Sequence, residues 1–206
     1  MKKFALSAVA LALLLGATAA RAGTQAAQPA QSTDKTAPSY DMRGQSLVDL
    51  DDLHKKFVSL ANAVPQDKYT WRPADGVRSI SEVFLHITAA NYNIPSMMGA
   101  PKMPEYMAKD FDKSTTDKAR IIDELNKSFD YVHAAVEKMT NADFAKPEKS
   151  LGPDANDGDV VYIIVAHAHE HLGQSIAYAR INGIAPPWTA EAAAKAAAAK
   201  KSPPQE

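Results

Sequence analysis

Cysteine is absent from all 206 residues, which removes disulfides, thiolate nucleophiles and every metal site built on sulfur. Any metal must then be held by histidine and carboxylate. An excess of base is missing too. Lys and Arg number 23 against 24 Asp and Glu, leaving no basic footprint for nucleic acid, and none is expected as a partner. Long hydrophobic runs are also lacking. The apolar stretch Phe4–Leu15 falls short of the about 20 residues that a membrane span needs. Neither a Gly-x-Ser-x-Gly elbow nor a phosphate-binding glycine loop occurs, so the corresponding hydrolase and nucleotide chemistries have no sequence support.

What is present at the start reads as an export signal. Lys2 and Lys3 form a basic beginning, the short apolar run follows, and Ala20-Arg21-Ala22 fits a small-x-small cleavage site. Residues 1–22 are therefore expected to be a signal peptide, placing the protein in the periplasm or outside the cell, with no stable membrane insertion after cleavage. Without them, 20 bases face 24 acids, a mildly acidic chain. Residues 23–45 are rich in Ala, Gln, Thr, Ser and Pro without an apolar period and read as a disordered leader.

From Ser46 the pattern becomes helical. Leu50, Leu53, Phe57, Leu60 and Val64 recur at 3-4 spacing and stop before Pro65. Pro73 and Asp75-Gly76 then mark a connector. Ser79, with Glu82 three residues on, has the spacing of a capping box that opens a second helix, with Ile80, Val83, Phe84 and Ile87 inward and a break at Pro95. Met97–Asp112 has no clean period and reads as a long connection, of the kind that often carries binding function; its Met residues fit ordinary packing or a pocket mouth. Lys118–Thr140 repeats Ile122, Leu125, Phe129, Val132, Val136 and Met139 as a third helix. The run from Asp154 to Asp159 lacks the ligand spacing of a calcium loop, with Val165 at the twelfth position, and is read as capping the last helix. Asn182-Gly183 and Pro186-Pro187 end that helix; Trp188 is expected to fold back on the bundle, and residues 190–206 form an Ala- and Lys-rich tail. The fold class expected is all-α, a four-helix bundle over residues 46–189.

The last helix, Asp159–Arg180, carries the chemistry. At about 100° per residue, His167 and His171 share one face with Val160, Ile164 and Tyr178. His169 turns about 200° away and is not expected to be a ligand. Two histidines four apart on an inward face supply two-thirds of a metal site. His86, among the apolar positions of the second helix and one turn beyond Glu82, is the third candidate. His54 and His133 read as boundary or peripheral residues.

The series Trp71-Arg72-Pro73, Gly76, Ser79-Ile80-Ser81-Glu82, His86-Ile87 and then His167, His171-Leu172-Gly173-Gln174 resembles the DinB/YfiT-like family of small metal-binding bundles. The resemblance runs from about Ser46 to Trp188. It implies one ligand on the second helix and two on the last, at the positions of His86, His167 and His171. Where the family often has His-His-Arg-Gly-Gln, this chain has Glu170-His171-Leu172-Gly173-Gln174; Glu170 reads either as a partner behind a ligand or as a surface acid. Relatives in that family include thiol S-transferases and an isomerase. A divalent ion is implied as cofactor, Zn first, with Ni or Fe as alternatives, and an open coordination position for water or a small-molecule substrate. Three readings stay open: a metal-dependent hydrolase or transferase, a non-catalytic metal- or small-ligand-binding bundle, and a metal-free bundle with hydrogen-bonded histidines. A homodimer is left open.

Overall fold

The computed structural model describes residues 41–191 and 193–194. The expected signal peptide, most of the leader and the end of the tail lie outside the described residues. Four long helices dominate: α1 Met42–Ala63, α2 Ile80–Asn93, α3 Lys118–Glu137 and, after a single turn α4 at Asn141–Phe144, α5 Asp157–Ile181. The fold is all-α. Among the described residues there is no β-strand, only an isolated bridge between Pro147 and Asn156, and no helix is long and apolar enough to cross a membrane.

Each helix starts where a side chain can satisfy backbone N–H groups that have no partner in the first turn. The α2 box forms as the sequence reads it: Glu82 accepts from the Ser79 amide at 2.8 Å and Ser79 Oγ from the Glu82 amide at 3.3 Å. Asn156 and Asp159 make the same reciprocal pair at the start of α5. Helix α1 begins at Met42, four residues before Ser46, because Asp41 caps it and Arg43 donates to the Glu137 carbonyl at 2.7 Å. These local and tertiary bonds extend the helix past the reach of its apolar period. In α3 the inward stripe starts at Ile121, fully buried, while Ile122 is only partly buried against the core; the two flank the stripe equally on a 100° wheel, so packing and not periodicity chooses between them.

α1 packs on α3 and α5, and α2 packs on the same two helices. This order puts α2 beside α5, the neighbours a shared site requires. The centre is aromatic: Phe57 meets Phe84 edge-on at 6.4 Å and Phe129 at 5.6 Å, and Tyr69 lies 6.0 Å from Phe84. Leu53, Val132 and Ile164 are sealed within it. α2 is enclosed on most sides, because the long connection after it folds into short turns at Ile94–Met98, Pro104–Met107 and Phe111–Lys113 that cover its outer face. Tyr106 of that connection stacks on Tyr92 at 3.9 Å.

The loop into α5 contains the one-turn α4, which apolar periodicity is too coarse to reveal. Its Thr140 and Asp143 form a further capping box. Gly158, in the first turn of α5, lies against α4 so closely that a Cβ would stand 3.2 Å from the Phe144 carbonyl oxygen, so a side chain there would force the two apart. Beyond α5, Trp188 packs back on the core as expected, with the Lys56 ammonium 5.9 Å from its ring centre.

Candidate metal centre

The inward stripe of α5 runs Val160, Ile164, His167, His171, Tyr178, and α2 presents His86 to it. The three rings meet edge to face, with centroids 5.1 Å (His86–His167), 4.7 Å (His86–His171) and 4.5 Å (His167–His171) apart. One ligand-type nitrogen from each lies within 4.8 Å of the other two. His86 Nε2 and His167 Nε2 are 3.1 Å apart. Two nitrogens at about 2.0–2.1 Å from one ion and at roughly tetrahedral angles would stand about 3.3 Å apart, so the spacing fits a shared cation.

His171 is oriented from behind. Its Nδ1 donates to Gln174 Oε1 at 2.7 Å, and Gln174 Nε2 donates in turn to the Tyr178 hydroxyl at 2.9 Å. With the proton on Nδ1, the Nε2 lone pair of His171 is free for a cation, the usual arrangement behind a metal-ligating imidazole. The Tyr178 ring is itself held by Trp71, edge-on at 5.4 Å. In the sequence Gln174 is only the end of a motif; its i, i+3 spacing from His171 was the available signal for this role.

Burial pushes His86 down from 6.5 to about 4, helped by the Arg78 guanidinium and by the other two rings, with Asp112 pulling the opposite way. His167 is lowered by the same causes, burial first, then His171 and Arg78, while Glu170 opposes. Both are therefore neutral at neutral pH, the state in which imidazole binds metal. All three rings are half-buried. His86, placed by sequence among the apolar positions of α2, sits at the edge of the core and not inside it.

The remaining candidates separate cleanly. His169 is exposed on the opposite face of α5, as the helical geometry requires, and Glu170 is exposed beside it. His54 stacks on Phe129 at 5.1 Å and bonds Asn126 at 2.8 Å. His133 faces Asp51 at 3.5 Å. Glu82 is occupied by its cap and by Arg72 at 2.9 Å.

The pattern of the DinB superfamily matches residues 49–175. The chain belongs to the DinB superfamily. Within solved structures, this DinB chain is similar to a DinB-like protein from Bacillus cereus ATCC 10987, with a TM-score of 0.60 at 18% identity, covering 70% of this chain and 95% of that one. At that identity the likeness speaks for the DinB fold alone. No curated protein matches the chain.

Proposed function

We propose that this DinB protein is exported and binds a divalent metal ion, zinc first with nickel or iron as alternatives, through His86, His167 and His171. The observation that carries the reading is the convergence of three imidazoles of which one, His171, is already held by Gln174 in the tautomer a ligand needs. Such an ion supplies Lewis-acid chemistry at a coordination position that three protein ligands leave open.

The reaction class proposed is metal-dependent hydrolysis or group transfer on a small molecule. Support comes from a cavity of about 590 Å³ that shares Gln174 with the site. Its walls carry Arg72, Arg78 and Lys113 against Glu82 and Asp112. Arg78 uses its Nε on Asp112 at 3.1 Å, and its terminal amino groups make no hydrogen bond among the described residues. They would orient a substrate by an anionic group beside the half-buried rings.

The test is metal content of the purified protein after zinc loading, measured with His86→Ala and His169→Ala side by side. The expected result is bound zinc in the parent and in His169→Ala, and its loss in His86→Ala. Equal loss in both variants overturns the site. Turnover of anionic esters by the loaded protein, abolished by Arg78→Gln with metal content unchanged, would separate catalysis from mere binding. Recovery of Gly23 as the N-terminus of exported protein tests the localisation.

A further inference from the structure

A second cavity lies at the other end of the bundle. It measures about 370 Å³, at the small end of the range of ligand pockets, about 300–1,000 Å³. Asp157, which lines it, precedes His167 by ten positions on α5, or about 15 Å of helix. Its apolar walls come from Pro95 and Met98 of the connection after α2, and from Tyr131 and Met139 on and beyond α3. This is the stretch of Met residues that the metal site does not use.

Asp157 is the unusual member. It is 7% exposed, lines the cavity, and its carboxylate accepts no hydrogen bond among the described residues. Its oxygens are not sealed from solvent; with no protein donor they are served by water in the cavity, which a ligand bearing donors of its own would displace. Two lysines stand at the rim, Lys138 and Lys146. Lys146 is engaged with Asp143, Lys138 is exposed, and neither forms an ion pair with Asp157 among the described residues. The position of Asp157 in the first turn of α5 explains why a carboxylate is tolerated there, through the helix dipole. It does not supply a partner. Burial, with Glu148 and Asp143 nearby, pushes the carboxyl upward from its usual range, and Lys146 only partly opposes this.

We propose that this cavity is a ligand site for a small primary amine with an apolar body, the ammonium bonded to Asp157 and the body lying between Met98, Tyr131 and Met139. An ammonium brings the donors and the charge that the carboxylate lacks, and a charge-assisted hydrogen bond is the strong kind. The apolar walls match a hydrocarbon or an aromatic ring, which thioether side chains accommodate well. A neutral ligand of the same shape would fill the walls but leave the carboxylate without its counter-charge; an anion would be repelled by it. The proposal does not depend on the metal site.

The test uses the full-length chain after export and three probes of one shape: 2-phenylethylamine, 2-phenylethanol and phenylacetate. Binding is followed by amide chemical shifts near neutral pH. The amine should bind about tenfold or more tightly than the alcohol, with phenylacetate weakest, and the shifts should cluster on residues 95–101, 131–139 and 157. Asp157→Asn should abolish the preference for amine over alcohol while zinc binding at the triad stays unchanged. Ala135→Leu, which narrows the cavity from α3 without touching charge, should weaken amine and alcohol together. Equal affinity for amine and alcohol in the parent, retention of the amine preference in Asp157→Asn, or amine shifts scattered over the surface would each overturn the proposal.

Discussion

His54 on α1 and His86 on α2 are alike in sequence. Each is half-buried beside the apolar stripe of its helix. Around His54 the neighbours are Phe129, stacked on the ring, and Asn126, bonded to its Nε2. Around His86 they are two more imidazoles, with Nε2 facing Nε2. The first ring finds in α3 what a buried imidazole ordinarily needs. The second finds a lone pair that a cation, or a proton held by one of the two rings, must bridge. A histidine near a core is thus a packing residue or a ligand according to the helix opposite, and α3 and α5 give opposite answers.

The contrast is open to direct attack, most strongly at the ligands. His86→Ala or His171→Ala should lower zinc affinity by more than about 100-fold, beyond the usual effect of residues behind a ligand, whereas His54→Ala should leave it unchanged. Competition against a chromophoric chelator reads both. Gln174→Leu should lower affinity by about 10–100-fold while the fold persists, since it frees the His171 ring without removing it. If Gln174→Leu binds as the parent does, the hydrogen bond to Nδ1 is incidental.

Proton competition sharpens the comparison further. In the metal-free protein His86 is held near 4 against an ordinary 6.5, so between those values the unfolded chain binds the extra proton. Stability from this group is fully present above about 6.5 and is lost as pH falls toward 4. Urea midpoints of chelator-treated protein should therefore drop across that window, and His86→Ala should flatten the drop. The smallest effect belongs to the packing histidine: His54→Ala should cost about 1–2 kcal/mol through the lost Asn126 bond and the Phe129 stack, seen as a lower melting temperature at constant metal content.

Much of this was legible because the same period writes both fold and site. Leu50 to Val64 and Val160 to Tyr178 announce their helices by spacing, and His167 and His171 simply occupy two turns of the second stripe. The Ser79–Glu82 box could be read at three residues' separation and formed as read. What escaped was held by contacts between distant segments. Asp112 reaches Arg78 only because an aperiodic connection folds over α2. The early start of α1 depends on Arg43 meeting the end of α3. Ile121 displaced Ile122 in the core because a 3-4 count tolerates a one-residue offset at its first position. Asp157 lay inside an acidic run whose members look alike in sequence, yet Asn156 and Asp159 cap the helix while Asp157 turns into a cavity. Charge alone does not tell them apart.

The pairing of His86 with His167 has a consequence for unfolding as well as for chemistry. The two residues are 81 positions apart, so an ion held by both would clasp a loop that spans most of the bundle. Because such a site exists only in the folded bundle, the ion would stabilise by its binding free energy, and more so as its free concentration rises above its Kd. A protein without a single cysteine would thereby gain a removable staple, opened by a chelator or by acid and not by the thiols that reduce a disulfide.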